Sequence, residues 1–290
     1  MNRRLFQVLV YQAALICAVS ANADYDDIAY LKLTDGYWQV WVMDRSGESQ
    51  RQITRSASDK TRISWYPDGR SLLVNNADGR VWKAAIESGE EQAIALPLTG
   101  MLDAVLSPDG STICFSLSTG DSVDNNNLWL VNAVTGKNER ILTRMPHLQH
   151  EPAWGPDGKY IYFLSGRGGQ VHDIWKVEVT DGVTEQLTVN DLYHFDVAVS
   201  IHGDLAYSSN RTGNYEIWVW AHDGEPRQVT NHPALDARPT WALDGTALAF
   251  ESTRNGVQAI WLLHPETGQL TQLTKNDEAV RYPVWRQGDR

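Results

Sequence analysis

Short apolar runs alternate with turn residues along the whole chain, and the same order of runs returns six times. Aliphatic–tryptophan pairs end at Trp41, Trp82, Trp129, Trp175, Trp218 and Trp261, spaced 41, 47, 46, 43 and 43 residues apart. A second anchor precedes a Pro-Asp-Gly turn at residues 65–69, 106–110 and 154–158, and a weaker version of it at 199–203 and 241–245. An apolar triplet follows each turn: Leu72-Leu73-Val74, Ile113-Cys114-Phe115, Ile161-Tyr162-Phe163, Leu205-Ala206-Tyr207 and Leu248-Ala249-Phe250. Each repeat then closes near Ile53-Thr54, Ile94, Leu142-Thr143, Leu187-Thr188, Val229-Thr230 or Leu273-Thr274. Runs this short, bounded by turn residues, predict strands. Four strands in about 44 residues predict one propeller blade. The sixth triplet does not follow the last anchor, Trp285, but lies at Ile28-Ala29-Tyr30. Residues 280–288 are therefore expected to form the innermost strand of the blade whose other strands lie within 27–54. The fold class expected is all-β: a six-bladed β-propeller closed by its two ends.

Ten of the 12 tryptophans occupy the two anchors, which assigns them to packing between blades. Only Trp38 and Trp220 stand outside the pattern. The Pro-Asp-Gly turns need no functional reading, because proline presets φ, aspartate caps the turn and glycine takes the positive φ.

The N-terminus breaks the pattern. Arg3 and Arg4 precede a largely apolar stretch that ends in Ala21-Asn22-Ala23. That order predicts a cleaved secretory signal over residues 1–23, with the propeller over 24–290. Loss of Arg3 and Arg4 would take the formal charge from −11 to −13. So acidic a chain disfavours nucleic acid and anionic membrane surfaces as partners. Cys114 remains as the only cysteine after cleavage, so no internal disulfide is expected, and its apolar strand predicts a buried thiol. No second apolar segment is long enough for a transmembrane helix.

The run Pro152-Ala153-Trp154-Gly155-Pro156-Asp157-Gly158, with Asp173-Ile174-Trp175 and Gln186-Leu187-Thr188 after it, resembles the TolB-type propeller repeat. So does the stretch from Tyr207 through Asn214 to Trp218. The resemblance extends over residues 26–288. It implies the propeller fold and an envelope setting. It does not carry over functions of the N-terminal α/β domain that TolB itself has, because the signal segment here runs straight into the first blade strand.

Candidate chemistry falls on the end of the propeller where the innermost strands begin, here called the mouth face; the Pro-Asp-Gly turns lie on the opposite, turn face. Three residues before each inner anchor stand Arg62, Asp103, Glu151, Asp196, Arg238 and Tyr282, with His150, Phe195 and Arg281 as neighbours. They are expected to ring the channel mouth. One reading is a recognition site for a charged group; the other is a set of mutual, exposed ion pairs that only stiffens the mouth. Tyr37, Trp38 and Tyr215 are candidate contact aromatics on mouth-face hairpins. Asp121 and Asp124, in the longest hairpin, are weak candidates for calcium, since their spacing does not match an EF-hand loop. Arg167, Arg211 and Arg254 follow the repeat and are expected to be structural. His150 and His194 make a weak metal case without a third ligand.

No Gly-x-Ser-x-Gly, His-Glu-x-x-His or Cys-x-x-Cys pattern occurs. The expectation is a periplasmic, monomeric protein-binding scaffold without a cofactor. By the TolB resemblance, its partner is an envelope protein such as a peptidoglycan-associated lipoprotein. The alternative is a carbohydrate-binding propeller, or a lyase or hydrolase, acting at the same mouth.

Overall fold

The computed structural model describes residues 28–96, 98–118, 126–166, 172–189 and 194–286. Residues 1–23, Asp121, Asp124 and Arg167 lie outside the described residues. Six sheets of four antiparallel strands make up the described fold, with no helix among these residues. Among the described residues no helix is long and apolar enough to cross a membrane.

The first blade is built from both ends of the chain. Its innermost strand, Val280–Trp285, pairs with Ile28–Thr34 through Ile28 opposite Trp285 and Ala29 opposite Val284. The other blades are local, at residues 60–93, 102–141, 149–186, 194–228 and 236–272, each with its innermost strand first in sequence.

The core is divided as the repeat implies. Six apolar clusters occur, one at each junction between neighbouring blades. Trp65 and Ile63 of the second blade pack on Ala29, Leu31, Val40 and Val42 of the first. Trp285 packs on Ile260 and Ala249 of the sixth blade, which joins the last junction to the first. Cys114 is fully buried.

The recurrent threonine has a specific task. Thr54, Thr143, Thr188, Thr230 and Thr274 accept, on Oγ1, the backbone N–H of Val40, Leu128, Ile174, Ile217 and Ile260 at 2.8–2.9 Å. Each bond fastens the short outermost strand to its neighbour where the regular ladder ends. In the Pro-Asp-Gly turns, Asp68, Asp109 and Asp157 accept the backbone N–H two residues on at 2.9–3.0 Å, while Gly69, Gly110 and Gly158 take φ of 60–72°.

Candidate functional site

At the level of the predicted ring, the ladder between innermost and second strands is interrupted by a bulge in all six blades. Asp103, Glu151, Asp196, Arg238 and Tyr282 sit in these bulges with φ between 49° and 59°. Non-glycine residues rarely adopt this left-handed conformation, which costs on the order of 1–3 kcal/mol each and concentrates at sites where a side chain must be re-aimed. Arg62 differs: the extra residue in its blade is Thr61, and Arg62 itself keeps a negative φ.

Second-strand side chains hold the bulges. Asn75 accepts the N–H of Ala104 at 2.8 Å and donates to its carbonyl at 2.9 Å, next to Asp103. The Ser116 hydroxyl donates to Gln149 O at 2.7 Å, two residues before Glu151. Ser208 donates to Phe195 O at 2.9 Å. Glu251 takes the same place in the sixth blade, where it accepts the N–H of Tyr282. Sequence reasoning missed Glu251, which is 1% exposed. Its one signal was an acid where three other repeats carry Asn75, Ser116 and Ser208.

The ring residues bond across the channel. Arg62 of the second blade pairs with Glu151 of the fourth, donates to Pro152 O at 3.0 Å and lies 3.7 Å from Asp103. The Tyr282 hydroxyl of the first blade donates to Glu151 at 2.9 Å, from the diametrically opposite blade. Arg238 reaches Glu251 at 3.3 Å and, through Nε, Asp196 at 3.6 Å. Its guanidinium also stacks 4.8 Å from the centre of the Tyr282 ring. These groups form a polar plug. The pairs are largely withdrawn from solvent at Arg62, 8% exposed, and Asp196, 9% exposed, while the Arg238 side chain stays 34% exposed.

The remaining candidates surround the plug on the mouth side. Arg281 lies 3.9 Å over the Trp38 ring, and Phe195 packs edge-on to Tyr215 at 5.0 Å. Tyr37 is exposed beside Trp38. His150 Nε2 lies 3.0 Å from His172 Nδ1. His194 packs edge-on against Tyr207. Arg211 and Arg254 stack on Trp218 and Trp261.

Asp103, His150 and Glu151 bring possible ligand atoms within 4.8 Å of one another. The Arg62 guanidinium already pairs with both carboxylates, so the protein supplies its own cation there.

Burial, and then the charge of Glu151, raise Asp196 to about 7 and Asp103 to about 6. Burial also pushes Glu151 upward, but the Arg62 charge and the Tyr282 hydrogen bond outweigh it and hold this carboxyl below its usual value. Asp196 is therefore the ring carboxyl placed to exchange a proton near neutral pH. A raised acid binds a proton when folded that it releases when unfolded. Its contribution to stability is complete below the unfolded value, 3.8, and is lost as pH rises through about 7. His150 and His194, lowered by burial to about 4, act in the opposite sense below 6.5. Thermal melts between pH 6.5 and 8 separate the two effects: the wild type loses stability across this window, and Asp196→Asn is expected to flatten the slope.

A cavity of about 1020 Å3 runs from the plug to the turn face. Arg62, Glu151, Asp196, Arg238 and Tyr282 form its floor, and the exposed Asp68, Asp109 and Asp157 stand at its rim. Asp103, His150, Phe195 and Arg281 do not line it. The predicted ring is thus a partition. One side faces the mouth, and the other closes a pocket that opens among the Pro-Asp-Gly turns.

The TolB beta propeller domain (PD40) matches residues 75–207. An uncharacterized protein of Agrobacterium fabrum is 28% identical over 195 residues, which cover 65% of this chain and 64% of that protein. The Tol-Pal system protein TolB of Anaeromyxobacter dehalogenans is 30% identical over 130 residues, or 44% of this chain and 29% of that one. The chain thus spans less than two thirds of either relative. Among solved structures, TolB from Acinetobacter baumannii superposes with a TM-score of 0.79 at 18% identity, over 90% of this chain and 66% of the other. An oligogalacturonate lyase in complex with manganese superposes at 0.64 and 15% identity, over 88% of this chain and 75% of the other, a likeness of fold alone. The repeat, the six-bladed ring and these matches agree: the chain is a TolB-like six-bladed β-propeller.

Proposed function

We propose that this chain is a periplasmic scaffold, exported by a signal over residues 1–23, that docks an envelope protein on its mouth face. One observation carries the reading. Of ten large apolar side chains exposed among the described residues, seven lie on that face: Leu33, Tyr37, Leu102, Val189, Phe195, Leu235 and Val257. They lie at the mouth ends of the first, third, fifth and sixth blades and on the connection before the fifth, with Phe195–Tyr215 and Arg281–Trp38 as aromatic anchors. An apolar patch with stacked aromatics and an arginine has the composition of a protein interface. The relatives named as Tol-Pal system proteins make a peptidoglycan-associated lipoprotein the partner to try first.

Phe195 is the probe position, since it is 37% exposed. A photo-crosslinking residue in its place is expected to yield one discrete protein adduct in living cells, identified by mass spectrometry. A folded, exported variant that forms no protein adduct overturns the docking reading and leaves a glycan or small molecule as the ligand of the mouth.

A further inference from the structure

The cavity on the turn face has no part in mouth-face docking, and its floor holds a carboxyl group whose hydrogen-bonding capacity is unfilled. Asp196 is 91% buried, lines the cavity, and makes no side-chain hydrogen bond among the described residues. Its nearest cation is Arg238 Nε at 3.6 Å, beyond hydrogen-bond distance, and that Nε is itself buried without an acceptor. The Asp196 carboxyl oxygens open to the cavity and are not sealed in protein, so a donor that enters the cavity can reach them.

The charge around the floor selects the donor. Of the ring groups that line the cavity, Glu151 and Asp196 stand with Arg62 and Arg238, two carboxyl groups with two guanidiniums. The excess of acid lies at the rim, in Asp68, Asp109 and Asp157. A dication bound by clustered carboxylates is disfavoured, because Arg62 and Arg238 stand among those carboxylates. An ammonium brings the hydrogen-bond donors Asp196 lacks, and the rim acids favour a cation at the opening.

The walls and rim fit the rest of such a ligand. Between floor and rim the lining includes Val105, Ala153, Val197 and Pro239, side chains that accept methylene groups and offer no charge. The rim carries the carboxylates of Asp68, Asp109 and Asp157. The five steps from Asp196 to Ile201, along the inner strand and into the turn after Val199, span at most roughly 16 Å at about 3.3 Å per residue. The cavity therefore sets a single acid at its inner end, an apolar sleeve, and acids at its opening.

We propose that this cavity binds a primary aliphatic ammonium on a slim methylene chain, with the ammonium at Asp196 and the chain leading out between Asp68, Asp109 and Asp157. A free polyamine and a lysine side chain present the same chemistry.

The test is calorimetric titration of the purified chain with spermidine at pH 7.5 and low salt. Saturable one-to-one binding is expected, weakened at least tenfold by Asp196→Asn. Absence of binding, or unchanged affinity in D196N, overturns the proposal. Tighter binding of citrate than of spermidine also overturns it, since the arginines would then define the ligand. A second measurement does not depend on the folding of D196N: wild-type affinity for spermidine is expected to fall about tenfold between pH 7.5 and 5.5 as Asp196 gains its proton. A flat profile places the amine on the exposed rim and overturns the assignment to Asp196. Titration with a lysine blocked at both backbone ends separates the sources. Tighter binding of spermidine marks a free polyamine, and tighter binding of blocked lysine marks a protein side chain. The mouth-face crosslink is read on the opposite face, so either idea can fail alone.

Discussion

Arg62→Met is expected to lower the free energy of unfolding by about 3–5 kcal/mol, the range for removing one partner of a buried ion pair. The reason lies in what remains. Glu151 is the hub of the plug, reached by Arg62 from the second blade and by Tyr282 from the first. The Arg62 charge is the largest influence opposing the burial of this carboxyl. Without Arg62, Glu151 keeps the Tyr282 hydroxyl but loses its cation, and it must then ionise in a buried place or take up a proton. The double variant R62M/E151Q removes the orphaned charge as well and is expected to regain at least half of the loss. Urea denaturation of the three chains at pH 7.5 provides the check. A loss below about 1 kcal/mol in R62M would give the pair the value of an exposed ion pair and mark the plug as dispensable to the fold. The single variant also has its own pH signature. Its Glu151 titrates at a higher value than in the wild type, so R62M is expected to recover stability as pH falls from 7 toward 5.

That expectation could not have been written from the sequence. The ring was legible because the repeat is regular: a fixed offset from Trp65, Leu106, Trp154 and Trp285 locates Arg62, Asp103, Glu151 and Tyr282, and the chain folds so that equal offsets share one level. The blades were legible for the same reason, since tryptophan anchors, Pro-Asp-Gly turns and terminal threonines each act locally and recur. What those offsets do not encode is the backbone at the ring. Five of its residues are turned into the left-handed region by bulges that second-strand groups hold in place. The same offset in a regular strand would have left mutual, exposed ion pairs, one of the two readings that the sequence allowed for the ring. The bulges aim them across the axis, where they pair with one another. Glu251 was hidden because it lies on a second strand, Leu248–Ser252, outside the inner strands that carry the offset. The cavity was hidden because its floor and rim come from all six blades and no single repeat contains it.

Removal of residues 280–290 is expected to abolish the folded propeller. These residues supply the innermost strand of the first blade, and with it a partner for Ile28–Thr34. Trp285, fully buried between the first and sixth blades, leaves with them. Truncation of one such tryptophan alone costs about 3–5 kcal/mol, against a whole stability of about 5–15 kcal/mol for a typical domain. Loss of the strand adds the unpaired edge of Ile28–Thr34 and removes Tyr282 from the plug. A first blade left with three strands has an open edge and uncovers apolar side chains of the sixth blade that Trp285 had covered, which favours aggregation over a closed ring. Soluble yield, size exclusion and far-ultraviolet circular dichroism report the outcome. A synthetic peptide spanning residues 278–288 is expected to restore part of the folded signal when added during refolding, because the vacant place is specified by register and by the Trp285 pocket. A truncated chain that stays monomeric and melts like the wild type would show that the blade junctions hold the ring without closure by the chain ends. The six junctions would then be independent of one another, contrary to a closed ring in which opening one junction exposes both of its faces.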